Sequence, residues 1–272
     1  MVHDGVLQQE NIYLMSNNIR SQPILVGNSL KERFNHYFEV VPANVSVLVR
    51  QAKRLRYQVY CIENKIVNNP GSCRNMIMED QYDSHSVYSI LRYRSTGMFA
   101  GTARLILPDP KNPSKAFPIE KSCKAVTSIF NHLNIRRESI AEISPFVVSS
   151  NFKKRKGEKN TICGVSPCLG MLSYFNCDRS IYPHIIIGLL ASIFAMSAEH
   201  KIGYWYAFME PPLLSLLEHF GLDFMPIGTL TNYLGKNIPT MTEVNGLLLS
   251  IQATYPELWE LIIEISQQWK SL

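Results

Sequence analysis

The chain has 272 residues, of which 46% are hydrophobic and 18% are charged. These proportions are typical of a folded globular protein and exclude a disordered or low-complexity chain. The net charge of +5 is too small to indicate a dedicated nucleic-acid binder, but it suits a basic patch that binds an acidic partner.

The cysteine pattern and the apolar runs bear on the cellular compartment. The six cysteines are widely spaced and include no C-x-x-C pair, so we expect reduced thiols and no zinc centre. The N-terminus lacks the basic start and apolar run of a secretory signal. The longest apolar run, 185–196, is shorter than the ~20 residues that span a bilayer. We therefore expect a cytoplasmic protein without a membrane span.

The first part of the chain predicts an extension, a helix and the beginning of a sheet. Residues 1–28 are polar and aperiodic, and we interpret them as a loose N-terminal extension before a single domain, 29–272. Ser29 and Glu32 have the spacing of a capping box, which predicts the start of a short amphipathic helix. A strand is expected to follow at Phe38–Val41.

The middle of the chain predicts a helix and then an antiparallel core. Apolar residues at helical spacing predict a helix over 45–62. The turn-forming residues Ser95–Gly97 favour a hairpin between the first two of the strand-like runs that follow. Those runs are 87–93, 101–107 and 140–149. Between the second and third runs we expect a proline-containing loop over 108–122 and a helix over 123–133.

Beyond an irregular excursion at 150–180, helices and strands alternate. Pro211 and Gly221 stand where a helix favours them, at its first turn and after its end. The predicted elements are a helix over 184–200, a strand over 203–209, a helix over 211–220, a strand over 222–227 and a helix over 257–269. No internal repeat or linker divides the chain, so we predict one α/β domain.

Charged residues interrupt three of these core elements. Arg56 lies at the edge of the apolar stripe of its helix, where it either snorkels to the rim or requires an anionic partner. Strand alternation places Arg104 on a packed face, and it places Glu142, Ser144 and Phe146 together on another. Together these positions indicate a buried ion network, which is costly and therefore often functional, although a purely structural network is the alternative.

A short acidic segment precedes the first strand of the hairpin. It includes Asp80 and Asp83, which can hold an amine or anchor an arginine, but the same pattern is also typical of a solvated turn. The four charged segments are Arg56-Tyr-Gln-Val-Tyr60, Asp80-Gln-Tyr-Asp83, Gly101-Thr-Ala-Arg-Leu-Ile-Leu-Pro108 and Glu142-Ile-Ser-Pro-Phe146.

In order and spacing these segments resemble the motifs of the autoinducer (acyl-homoserine-lactone) synthases and N-acyl amino acid synthases. Within that group the sequence is most similar to the PEP-CTERM/exosortase system-associated acyltransferase family, over about 30–235. The resemblance implies a GNAT-type fold, with a mixed, mainly antiparallel sheet flanked by helices. It also implies transfer of a fatty acyl group from acyl carrier protein to the amino group of an amino acid or similar small amine.

The resemblance further implies roles for individual residues. The catalytic set would be Glu142, Arg104 and Ser144, with Glu142 orienting or deprotonating the amine. The substrate-binding set would be Arg56, Tyr60, Asp80, Asp83 and Phe146. No metal or permanently bound cofactor is implied, because the donor is the phosphopantetheine thioester of acyl carrier protein or acyl-CoA.

Two residues depart from the pattern of the related synthases. Met78 stands where those enzymes usually have a third acid, and Glu79 is its acidic neighbour. Pro145 stands where they have arginine. Proline within a strand requires an edge or a bulge. We expect a bulge here, because a GNAT strand parts from its neighbour to admit pantetheine.

A basic run follows directly after the third strand. Its residues Lys153, Lys154, Arg155 and Lys156 are expected to form a collar that docks an acidic carrier protein, unless they are simply a solvated loop. A glycine-rich pyrophosphate loop is absent from this region, which favours a carrier protein over coenzyme A. The alternatives are a coenzyme A-dependent acetyltransferase and a catalytically impaired module that binds an acyl chain or carrier protein.

Overall fold

The computed structural model describes residues 29–67, 73–123, 135–153, 161–165 and 182–271. The main helices are α1 (Leu30–Tyr37), α2 (Ser46–Tyr57), α3 (Pro118–Ser122), α4 (Tyr182–Glu199), α5 (Pro211–His219), α6 (Val244–Thr254) and α7 (Pro256–Lys270), and a π-helix (Gln58–Glu63) continues α2. The strands are β1 (Phe38–Pro42), β2 (Cys73–Arg74), β3 (Ile77–Met78), β4 (Ser86–Tyr93), β5 (Phe99–Ile106), β6 (Ile140–Val148), β7 (Tyr204–Met209), β8 (Met225–Pro226), β9 (Thr231–Asn232) and β10 (Lys236–Glu243).

The sheet is mixed and mainly antiparallel, as predicted. Its strand order is β1-β4-β5-β6-β7-β10-β8, and β9 pairs with β10 as a short hairpin. The pairing of β6 with β7 is parallel, whereas the other pairings are antiparallel. The apolar face of the sheet packs on α4, whose side chains from His184 to Ser197 are buried between the sheet and α7.

The elements whose bounds were predicted best are those that have local signals in the sequence. The capping box opens α1, because Glu32 N–H donates to Ser29 Oγ at 3.1 Å and Ser29 N–H donates to the Glu32 carboxylate at 3.2 Å. The three strand-like runs are β4, β5 and β6, and the helices predicted at 184–200, 211–220 and 257–269 are α4, α5 and α7.

Other elements differ from the predictions. The predicted loop over 108–122 ends in α3, where Pro118 occupies the first turn and the Glu120 carboxylate accepts the Phe117 N–H at 2.8 Å. The predicted strand over 222–227 is reduced to β8. The sequence analysis missed β10, because Pro239 interrupts its strand pattern, and it also missed α6. The extension at 1–28, most of the helix predicted at 123–133 and most of the excursion at 150–180 lie outside the described residues.

The parallel pairing of β6 and β7 ends before either strand does. It joins Ile140 to Tyr204 and continues to Ile143 and Ala207, whereas β6 runs on to Val148. The two strands therefore part at their carboxyl ends and leave one edge of β6 open to other partners. This opening between β6 and β7 is the feature that the GNAT resemblance leads us to expect.

A bulge at Pro145 changes which side chains of β6 face the opening. Thr102 pairs with Val147 but Arg104 pairs with Ser144, so two residues of β6 lie opposite one residue of β5. The expectation that Phe146 shares a face with Glu142 and Ser144 is therefore wrong. Phe146 packs on the α4 side of the sheet, and Val147 takes the face that the alternation assigned to Phe146.

Close contact between α4 and β4 yields a stability prediction. A Cβ at Gly188 would lie 2.6 Å from Cε2 of Phe34 and 2.9 Å from Cδ1 of Leu91, two side chains that are buried in the core. Gly188→Ala should therefore destabilise the protein by about 1–3 kcal/mol through overpacking.

The control for that measurement is Gly246 in α6, where an added Cβ has no neighbour closer than 3.7 Å. Gly246→Ala should raise the free energy of unfolding by up to ~1 kcal/mol, because alanine favours the helix. Chemical denaturation of both variants checks the pair. Equal effects of the two substitutions would contradict the close packing of α4.

Two features are absent from the described part of the chain. None of its helices is long and apolar enough to cross a membrane. It holds no group of three or more His, Cys, Asp or Glu side chains that could bind a metal ion.

Candidate active site

An ion network joins α2, the acidic segment and β5. Arg104 lies in β5 with only 3% of its surface exposed, and its Nη1 lies 2.8 Å from Asp80 Oδ2 and 2.9 Å from Asp83 Oδ1. Arg56, near the end of α2, is 2% exposed and lies 3.7 Å from each of the same two carboxylates. Arg56 therefore does not snorkel to the rim. The two arginines and the two aspartates that the resemblance assigns to the site thus meet in the structure.

The acidic segment is held in shape by its own backbone. The Asp80 N–H donates to Asp83 Oδ2 at 3.0 Å, and the Tyr82 N–H donates to Asp80 Oδ1 at 2.9 Å. The Tyr88 hydroxyl in β4 also donates to Asp83. Burial acts to raise the pKa of Asp83, but the Tyr88 hydrogen bond and the charges of Arg104 and Arg56 outweigh it and lower that pKa. Asp83 is thus held as a carboxylate.

The two arginines retain unused hydrogen-bond donors. The Nε atoms of Arg56 and Arg104 are buried and have no hydrogen-bond partner among the described residues. A buried guanidinium donor without a partner is costly, and most such groups in native proteins are satisfied by protein, water or ligand. The network can therefore accept a further anionic or carbonyl oxygen.

Glu142 lies beside this network on β6. It is 1% exposed, and its Oε2 accepts the Ile119 N–H at 2.9 Å. Burial raises the pKa of Glu142 to about 8, against the opposing effects of the Ile119 hydrogen bond and the Arg104 charge. A carboxyl group with this pKa can both take up and release a proton near neutral pH.

Ser144 and Tyr60 complete the predicted set on this side of the sheet. Ser144 is buried and pairs with Arg104 in the β5–β6 register, so it lies next to the network. Tyr60, in the π-helix, donates its hydroxyl to the Pro145 carbonyl at 3.4 Å. The predicted residues Arg56, Tyr60, Asp80, Asp83, Arg104, Glu142 and Ser144 thus lie on the side of the sheet opposite α4, whereas Phe146 does not.

Comparison with protein families agrees with this geometry. Residues 55–162, which include the ion network and Glu142, match the family described as an acetyltransferase (GNAT) domain. Residues 55–162 are therefore part of a GNAT acetyltransferase domain. No curated protein matches the chain.

Solved structures resemble the chain at low sequence identity. FeeM, an N-acyl amino acid synthase from uncultured soil microbes, is 12% identical with a TM-score of 0.50, over 80% of this chain and 96% of its own. The acyl-homoserine lactone synthase LasI is 13% identical with a TM-score of 0.49, over 80% of this chain and 95% of its own. The CoA-dependent synthase BjaI is 16% identical with a TM-score of 0.48, over 87% of this chain and 100% of its own.

The prediction of an exposed basic collar is wrong for its first residue, Lys153. Lys153 is 1% exposed and its Nζ donates to the Thr161 carbonyl at 2.8 Å, so it does not contribute to an exposed docking surface of the GNAT domain. The burial of its long stem and the hydrogen bond to a backbone carbonyl explain the difference from the expectation. Lys154, Arg155 and Lys156 lie outside the described residues.

The surroundings of Met78 and Glu79 show how the chain differs from the related synthases at the first of the two departures. Met78 is buried in an apolar cluster with Tyr60 and Val147, where an acid would lack a partner from that cluster. The Glu79 side chain is 65% exposed and pairs with Lys53 at 3.0 Å. Lys53 also lies 3.2 Å from Asp83, so Lys53 links Glu79 to the network.

Two residues near the opening were missed by the sequence analysis. The Glu210 carboxylate, directly after β7, accepts the N–H groups of Ile162 and Cys163 at 3.1 and 3.2 Å. It thereby fastens the segment 161–165 beside the open edge of β6. Tyr233, in the turn between β9 and β10, stacks on Phe208 of β7. The sequence carried no signal for either, since both contacts join distant parts of the chain.

Proposed function

We propose that this GNAT domain transfers a fatty acyl group from the phosphopantetheine thioester of an acyl carrier protein to the amino group of an amino acid or similar small amine. The observation that carries the proposal is the buried Glu142, whose pKa is raised to about 8, beside the network of Arg104, Asp80, Asp83 and Arg56. The proposed reaction takes place in the cytoplasm and uses no permanently bound cofactor.

The chemistry follows from the need for a neutral amine. An ammonium group cannot attack a thioester, so a base must first remove a proton, and Glu142 is the buried carboxylate suited to that step. The amine nitrogen then bonds to the carbonyl carbon and the carbon–sulfur bond breaks. The proton held by Glu142 passes to the leaving thiolate, which restores the carboxylate, and the nitrogen releases a second proton to water as the amide forms. The products are therefore the amide, the free thiol and one proton.

An amino acid acceptor is supported by the unused donors of the network. The free Nε atoms of Arg56 and Arg104 suit a carboxylate oxygen, which an amino acid supplies close to its amine. The fold is shared with FeeM, which is an N-acyl amino acid synthase.

A carrier protein as donor is supported by the sequence alone. Lys154, Arg155 and Lys156 form a basic run directly after β6, and acyl carrier proteins are acidic. The narrower resemblance, to the PEP-CTERM/exosortase system-associated family, belongs to the same proposal.

The test measures thiol release and product mass with the purified chain. Matched long-chain donors, one acyl carrier protein and one coenzyme A thioester, are each supplied with the twenty amino acids. We expect an N-acyl amino acid from the carrier-protein donor, and its mass identifies both substrates. Turnover with coenzyme A alone would overturn the donor assignment. Binding of acyl carrier protein without thiol release would instead favour the non-catalytic module.

A further inference from the structure

The turn between β9 and β10 lies at the opening between β6 and β7. In the hairpin, Asn232 pairs with Lys236, and β10 then pairs its Ile238 with Met209, the last residue of β7. The turn 233–235 therefore extends past the carboxyl end of β7. This is the region in which β6 has lost its parallel partner.

The two side chains at the start of the turn contact both sides of the candidate site. The Tyr233 ring stacks on Phe208 with a centroid separation of 4.4 Å, and it packs against an apolar cluster that includes Tyr82 of the acidic segment. Leu234 packs against the cluster that contains Tyr60 and Met78. The turn thus bridges the two apolar clusters that flank the ion network.

The turn is held in one shape by Asn237. This side chain is fully buried, and its Nδ2 donates to the carbonyls of Tyr233 at 2.7 Å and of Gly235 at 3.2 Å. Gly235 has a φ of 109°, a conformation that residues with a Cβ rarely adopt. A turn fixed in this way holds the Tyr233 side chain in a defined place, as a group that acts on a substrate requires.

The charges near the Tyr233 hydroxyl are those of the candidate site. Burial and the charge of Glu142 raise the pKa of Tyr233, with a smaller contribution from Asp80, against the opposing effect of Arg104. The phenol therefore stays protonated across the physiological range and remains an O–H donor. No described residue accepts a hydrogen bond from it, so the donor is free for a ligand.

We propose that the Tyr233 hydroxyl donates a hydrogen bond to the thioester carbonyl oxygen and stabilises the oxyanion that forms on it. This role rests on the proposed acyl transfer. As the amine nitrogen bonds to the carbonyl carbon, the carbonyl π electrons move to the oxygen, and the Tyr233 proton stays on the phenol. When the oxyanion collapses, the carbon–sulfur bond breaks, the thiolate takes the proton that Glu142 removed from the ammonium group, and the nitrogen releases its second proton to water as the amide forms. An oxyanion beside Glu142 requires such a neutral donor.

The test is Tyr233→Phe, which removes the hydroxyl and keeps the ring on Phe208. We expect kcat to fall about 10²-fold with little change in the KM for the acyl donor, since the hydrogen bond strengthens in the transition state. The matched control is Tyr204→Phe, a partly buried tyrosine that packs against the same cluster at the other end of β7. It should retain the kcat of the wild-type chain.

The possible outcomes separate this inference from the proposed function. A Tyr233→Phe variant within twofold of wild-type kcat would overturn the role of Tyr233 and leave the proposed function standing. A raised KM at unchanged kcat would also overturn it, because the hydroxyl would then only bind substrate. A wild-type chain that releases no thiol from either donor would overturn the proposed function and this role together. Melting temperatures of both variants that equal that of the wild-type chain exclude a folding defect.

Discussion

Replacing Glu142 with glutamine is expected to lower acyl transfer by a factor of about 10²–10⁴. Glutamine has nearly the same shape and can still accept the Ile119 N–H through its carbonyl oxygen, so the substitution removes the base and keeps the local packing. Thiol release with a saturating donor and acceptor measures the effect. Glu218→Gln, at an exposed carboxylate of α5, is the control and should retain activity.

The pH dependence of acyl transfer provides a second test of the role of Glu142. Because only the carboxylate form of Glu142 accepts a proton, kcat/KM should rise with pH, with a midpoint near the pKa of about 8. The titratable groups near Glu142 include Arg104, Asp80 and Glu120, of which Arg104 lowers this pKa and the two acids raise it. Acceptor amines with different pKa values should give the same midpoint. A midpoint that follows the acceptor would contradict the assignment of Glu142 as the base.

Stability should depend on pH through the same group. The pKa of Glu142 is raised in the folded chain from 4.5 to about 8, so the folded state holds this proton more tightly than the unfolded state. Its contribution to the free energy of unfolding is therefore fully present below about pH 4.5 and is lost as pH rises to about 8. Glu142→Gln removes this loss, so it should be more stable than the wild-type chain above pH 8. Chemical denaturation at pH 5 and pH 9 measures the free energy of unfolding of both chains and shows whether the variant becomes the more stable one at the higher pH.

The charged part of the site could be predicted because its signals are local. Arg104 and Glu142 lie within strands whose alternation already assigns them to packed faces, and Asp80 and Asp83 lie three residues apart in one segment. Their common location follows once β5 and β6 are neighbours. Such residues are visible in the sequence, because a charge on a packed face conflicts with the pattern around it.

The remaining parts of the site depend on geometry that strand alternation does not contain. Phe146 was assigned to the wrong face, because the bulge at Pro145 inserts one residue and reverses the alternation beyond it. Tyr233 was missed because it comes to the site from a hairpin some ninety residues beyond Glu142 in the chain. Lys153 looked like a surface residue because its neighbours in the sequence are basic, yet its stem is buried.

The largest loss of stability is expected from Arg104→Ala. The substitution leaves Asp80 and Asp83 without their closest cation in a poorly solvated site, which should cost about 3–5 kcal/mol of unfolding free energy and abolish acyl transfer. The control is Arg92→Ala, which removes an exposed pair with Glu39 and should cost at most about 1 kcal/mol. Thermal and chemical unfolding measure both.

A triple variant separates the structural contribution of the network from its role in catalysis. Arg104→Met combined with Asp80→Asn and Asp83→Asn removes the buried charges together, so it should recover much of the stability lost in Arg104→Ala. It should remain inactive, because the acceptor site has lost the charges that position the amine beside Glu142. Recovery of activity together with stability would mean that the network only supports the fold, and wild-type stability of Arg104→Ala would contradict the network itself.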